Sequence, residues 1–196
     1  MEFSTQQAWI DLRDNWPKVG WNKVVCFTQM VPKHAFILWL AIQGRLLTQD
    51  KIEKWQQDCN LKCPFCQEGA DSHEHLFFQC HYSKKIWEHM RGMTQMVNIG
   101  TRMEDSVQEI GDKNVQNNIS VIISKLVLAA SVYNIWRERN LRIFKKEKRN
   151  EEELCRIIKD NVRFKLFALK VKMSKRVMEM AAIWNLRWSN NSLYAS

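Results

Sequence analysis

Three cysteines and one histidine fall within 18 residues, as Cys63-Pro64-Phe65-Cys66, His75 and Cys80, in the arrangement C-x2-C-x8-H-x4-C. Zinc takes four tetrahedral nitrogen and sulfur ligands, and a Cys-x-x-Cys turn can aim two thiolates at one point about 2.3 Å away. The remaining two ligands must then come from a separate segment, here His75 and Cys80. Four protein ligands leave no position for water, so such a site would organise the fold and not transform a substrate. Cys59, His73 and His81 stand close enough in sequence to compete for the same positions. Cys26 and Cys155 have no neighbour at metal spacing and read as buried thiols.

The local elements set conditions on that site. Asp71 or Ser72 can cap a helix running through Leu76 and Phe77, which places His75 on it. A residue five positions on is rotated by about 140° on an ideal helix, so His75 and Cys80 share a metal only if the helix ends between them. A break near Gln79 to Tyr82 is therefore predicted, with Ser83 capping the next helix, Lys84 to Met90. The triplet His73-Glu74-His75 is similar to the His-x-Glu of zinc deaminases. Those enzymes, however, place Pro-Cys-x-x-Cys after it, whereas Cys63 and Cys66 come first here and His75 stands where their Glu is required.

Around the cluster, 45% hydrophobic residues with nine Trp, six Gly and three Pro in 196 residues describe an ordered, turn-poor chain able to bury a core. The expected fold is all-α: a small helical zinc-binding domain over 1–93, a polar linker over 94–118, a long antiparallel helical hairpin over 119–187 and a tail over 188–196. A short helix is expected from Thr5 to Arg13, and two more between Pro32 and Trp55, with Phe36, Leu40 and Leu47 at helical spacing, a break near Gly44 and Thr48 as a cap. Trp39 and Trp55 read as core or core-edge residues and not as base-stacking ones. The hairpin's first helix carries Ile119, Ile122, Leu126, Ala130, Tyr133, Trp136, Asn140 and Ile143 on one stripe. After a charged turn at Lys145 to Asn150, a single second helix carries Leu154, Ile158, Val162, Leu166, Leu169, Met173, Val177, Met180 and Trp184, with Glu151 to Glu153 at its start.

Charge is segregated. Residues 1–136 hold 14 Lys/Arg against 14 Asp/Glu, and residues 137–196 hold 16 against 7, so the entire +9 excess lies in the second half. No uncharged apolar run of about 18 residues is present and the start lacks the basic and apolar regions of a secretory signal, so no membrane partner and an intracellular, reducing location are expected. In that setting the cysteines read as thiols or metal ligands and not as disulfides.

The stretch Pro32-Lys33-His34-Ala35-Phe36-Ile37-Leu38-Trp39-Leu40-Ala41, with Gly44-Arg45-Leu46, Thr48 and Asp50, joins Cys63-Pro64-Phe65-Cys66 and Ser72-His73-Glu74-His75-Leu76-Phe77-Phe78-Gln79-Cys80 in one ordered series. Together these segments resemble the zinc-binding family that lies beside the reverse transcriptases of plant LINE-type retrotransposons. Phe3-Ser4 to Trp9 and Tyr82-Ser83 to Ile86-Trp87 fit as well, so the resemblance covers about residues 3–90. It implies a domain C-terminal to a reverse transcriptase, its partner in the parent element, with Zn2+ on Cys63, Cys66, His75 and Cys80. Ile135-Trp136-Arg137-Glu138-Arg139-Asn140 and Phe144 resemble the segment after the zinc domain, while His81 stands where the family usually has Pro.

No Tyr/Phe-x-Asp-Asp polymerase motif occurs, and no ribonuclease H sheet is expected after residue 140, so a non-catalytic accessory domain is expected. RNA or DNA is the expected partner, held without sequence preference by Arg137, Arg139, Arg142, Lys145, Lys146, Lys148 and Arg149. The alternative is a scaffold that self-associates through the apolar stripe from Leu154 to Trp184.

Overall fold

The computed structural model describes residues 19–52, 62–94, 102–112 and 118–188. The expected helix from Thr5 to Arg13, Trp55, Cys59 and the tail from 189 onward lie outside the described residues. What is described is helical, with no strand beyond an isolated antiparallel bridge between Lys62 and Ala70.

A short helix α1 (Asn22–Val25) leads into α2 (Pro32–Ile42), which starts on Pro32 because proline's fixed φ suits the first helical turn and its missing N–H is no loss there. Its buried face is His34, Ala35, Leu38 and Ala41. Phe36 is 57% exposed, so the buried face of this helix is rotated from the one its apolar spacing suggests, and Leu47, beyond the helix, is 65% exposed. Gly44 ends this helix in the left-handed region at φ +58°, letting Arg45 N–H reach back to Leu40 O at 2.8 Å. The next turn, α3 (Gln49–Ile52), is not capped by Thr48, whose buried hydroxyl makes no hydrogen bond among the described residues. Asp71 caps it from a distance, accepting from Gln49 N–H at 3.1 Å on its carboxylate.

After the cysteine segment come α4 (His81–Gly92) and α5 (Met103–Asp112). The second of these lies inside the stretch read as a polar linker. Met103, Val107 and Ile110 recur every three to four residues and are all buried, so this segment packs into the core.

The centre of the molecule is α6 (Ile119–Asn140), against which α2 and α7 (Glu151–Phe167) pack. It is buried on most of its circumference and not along one stripe: Ile123, Val127, Leu128, Val132 and Ile135 are buried with Leu126 and Ala130, while Ile122, Tyr133 and Trp136 are half-buried. Two of its buried polar side chains turn back on the helix, Ser124 Oγ donating to Ser120 O at 2.8 Å and Asn134 Nδ2 to Ala130 O at 2.7 Å. With the π-turn that extends it to Lys145, this helix is long and apolar enough to cross a membrane, yet 83% of its most apolar window is buried inside the protein. It therefore acts as the core helix onto which the other elements fold.

Glu151 to Glu153 do open α7, through a reciprocal cap in which Asn150 accepts from Glu153 N–H at 2.8 Å and Glu153 accepts from Asn150 N–H at 3.2 Å. The expected single second helix is instead two: α7 ends at Phe167 and α8 (Lys175–Trp184) restarts on Ser174, which accepts from Val177 N–H at 3.3 Å. No Gly or Pro marks the break. Leu169 and Met173 fall in the connection, but Val177, Met180 and Trp184 still reach the core.

Candidate metal centre

The turn that carries Cys63 and Cys66 is closed by its own backbone. Gln67 N–H donates to Cys63 O at 2.9 Å, Cys63 N–H to Gly69 O at 2.7 Å, and Gln67 takes a left-handed φ of +62° to let the chain fold back. The facing segment begins where Ser72 Oγ accepts from His75 N–H at 3.2 Å, the cap expected at that position.

From His75 to Gln79 the chain forms a π-turn, and Cys80 N–H donates to His75 O at 2.8 Å. This answers the rotation problem posed by the five-residue spacing. An i→i+5 closure is wider than an α-turn and carries Cys80 back over His75. Cys80 itself is extended, with ψ 130°, and caps α4, which starts two residues before Ser83 and not after it. Instead of capping, Ser83 Oγ donates to Leu76 O at 2.6 Å, and Trp87 Nε1 donates to Phe77 O at 2.7 Å. The π-turn deprives those buried carbonyls of helical partners, and the two side chains replace them.

The outcome is one cluster. The ligand atoms of Cys63, Cys66, His75 and Cys80 all lie within 4.8 Å of one another, with Cys63 and Cys80 sulfurs 3.9 Å apart and Cys66 Sγ 3.2 Å from His75 Nε2. Zinc–sulfur and zinc–nitrogen bonds of about 2.3 and 2.0 Å give tetrahedral edges of about 3.5 to 3.8 Å, so the set fits a zinc ion. Gly69 makes room for it: a Cβ there would lie 2.8 Å from His75 Nε2 and nearer still to Cε1. Cys63 and Cys80 are fully buried. Their mutual hydrogen bond, reinforced by burial, raises the Cys63 pKa, and the same bond lowers that of Cys80. Backbone N–H groups of Phe65 and Cys66 act on Cys63, and those of Tyr82 and Ser83 on Cys80, each favouring the thiolate that a metal needs.

His73 is not part of the cluster. Its ring lies 5.1 Å from that of Phe77, and burial lowers its pKa. His81 is exposed and joins Cys66 and exposed Glu68 in a second grouping of three, separate from the other cysteines and His75. Of the two remaining thiols, Cys155 is buried as expected, its pKa pushed up to about 11 by burial and then by Glu151 and Glu152, whereas Cys26 is exposed.

The seven basic residues read as phosphate-facing divide into groups. Arg139 is 3% exposed, with its guanidinium on the buried carboxylate of Asp71, so it belongs to the core. Arg142 and Arg149 both serve Glu138, whose side chain is wholly buried, at 2.9 and 3.1 Å. Arg137, Lys145, Lys146 and Lys148 are exposed. Spacing alone has no means of separating these groups, because Asp71 is 68 residues from Arg139.

Compared with known proteins, residues 3–87 match the family model described as zinc-binding in reverse transcriptase. No curated protein and no solved structure matches the chain. The Cys63, Cys66, His75 and Cys80 cluster lies within the matched residues.

Proposed function

We propose that this chain is a zinc-stabilised, non-catalytic accessory module of a plant LINE-type reverse transcriptase, working inside the cell and holding RNA or DNA on the basic face beside its zinc site. The observation that carries this reading is the meeting of a closed Cys3His cluster, inside residues matching the reverse-transcriptase zinc-binding family, with the Lys-rich loop that follows α6. Zinc, when bound, cross-links the Cys63 turn to the His75–Cys80 turn and supplies structure, not Lewis-acid turnover. The chain's own residues do the rest. Arg142 donates to Pro64 O at 3.4 Å and lies over the rings of Phe65 and Tyr82, which fastens the basic loop to the Cys63 turn.

Exposed lysines attract phosphate without reading bases, so binding should weaken steeply with salt and vary little with sequence. A gel-shift titration of the zinc-loaded protein tests this: affinity for RNA or DNA that does not change between low and high salt counts against it. The scaffold alternative rested on the apolar stripe of the C-terminal helix, and Leu154, Ile158, Val162, Leu166, Val177, Met180 and Trp184 are all buried within this chain.

A further inference from the structure

Phe144 is 76% exposed and sits in the π-turn Leu141–Lys145 that ends α6, immediately before exposed Lys145, Lys146 and Lys148. None of the three lysines has an ion-pair partner among the described residues. The loop that displays them is tied down from beneath. Buried Glu138 accepts from Arg149 N–H at 2.8 Å and from Arg142 Nε at 2.9 Å; Arg142 and the Tyr82 hydroxyl both donate to Arg149 O, at 2.7 and 3.0 Å. A large apolar ring is thus held toward solvent among exposed cations on a fixed support.

We propose that Phe144 is a base-stacking platform for single-stranded nucleic acid, with Lys145, Lys146 and Lys148 contacting the flanking phosphates. This rests on the nucleic-acid reading above and narrows it. A polyanion whose flat apolar groups are accessible is a single strand, since a duplex keeps its base faces stacked internally. One ring suffices for one base. A lipid surface would need a broader apolar face, and of the apolar residues in the last turns of α6, Ile135 is buried and Trp136 half-buried.

The test is fluorescence anisotropy of zinc-loaded protein with labelled single-stranded RNA, single-stranded DNA and a duplex of equal length, over a salt series. Phe144→Ala should weaken single-strand binding by about 5- to 150-fold and leave duplex binding unchanged. Phe144→Trp should retain the affinity, and Leu47→Ala, which also removes an exposed apolar side chain, should have no effect. Replacing the three lysines with Gln should reduce the salt slope of single-strand binding by about 2, whereas Phe144→Ala should not change it. Salt-dependent binding that is indifferent to Phe144→Ala would overturn the platform while leaving the broader reading intact. Absence of binding to any of the three nucleic acids would overturn both. Phe144-dependent binding to phosphatidylserine vesicles without single-strand binding would overturn the proposal in favour of a membrane surface.

Discussion

Asp71 and Arg139 form an ion pair in the core, their side chains 0% and 3% exposed, that joins the segment leading into His75 to the last turn of α6. Arg139 Nε donates to both Asp71 oxygens, at 3.4 and 3.2 Å, and its guanidinium lies 4.9 Å from the Trp136 ring. The same carboxylate receives Gln49 N–H, so one buried side chain ties α3, the candidate ligand turn and the central helix together.

Asp71→Asn leaves the Arg139 charge buried without its counter-ion and should destabilise the protein by about 3–5 kcal/mol, with weaker zinc retention. Asp71→Leu combined with Arg139→Met should recover much of that loss, short of the bond to Gln49. Denaturant titration of zinc-loaded proteins checks both. A single-variant cost below about 1 kcal/mol, typical of an exposed pair, would contradict this role.

Gly69→Ala places a methyl group against the His75 imidazole. Overpacking of about 1–3 kcal/mol, directed at a ligand, should lower zinc affinity by about 5- to 150-fold in a chelator competition, while the helical circular dichroism of the zinc-saturated protein changes little. Gly20→Ala, with nothing within 4 Å of the added carbon, is the control. Equal affinities for the two variants would show that the cradle is not tight.

Trp184 is fully buried at the end of α8, and its Nε1 donates to Met93 O at 3.0 Å, closing the C-terminal helix onto the end of α4. Trp184→Ala should cost about 3–5 kcal/mol. Trp184→Phe retains much of the packing and should cost about 1–3 kcal/mol through the unpaired carbonyl. If neither variant shifts the unfolding midpoint, α8 is not part of the cooperative core.

His34 is 3% exposed, its ring lies 4.5 Å from that of Tyr133, and its Nε2 has no partner among the described residues. Burial, and then Lys33, lower its pKa from 6.5 to about 4. The folded state therefore favours the neutral ring: this contribution is complete above pH 6.5 and is lost as pH falls toward about 4. Between about pH 7.5 and about pH 5 the wild type should lose about 2 kcal/mol more stability than His34→Phe, and parallel pH profiles would contradict the assignment.

The ligand set is readable in the sequence because short spacings constrain short-range geometry: Cys63-x-x-Cys66 makes one turn, and His75 with Cys80 the opposing one. The π-turn between them is not readable, since ideal α-geometry offers only a break there. Other departures have long-range causes. Arg139 and Arg142 look like surface charge until Asp71 and buried Glu138 are placed beside them, and Phe36 rather than Leu38 looks inward until α6 settles which face of α2 is covered. The helix at Met103–Asp112 does carry a signal, Met103, Val107 and Ile110 at helical spacing, hidden in a polar neighbourhood. Gly69 likewise reads as an ordinary turn glycine until the His75 ring is seen against it.

The most direct test of the account is the metal itself. Purified native protein should contain one zinc per chain, and X-ray absorption at the zinc edge should show three sulfur neighbours at about 2.3 Å and one nitrogen at about 2.0 Å. Cys66→Ser should lose zinc and unfold in part. A native chain that is fully folded and free of zinc, or a zinc shell of different composition, would contradict it.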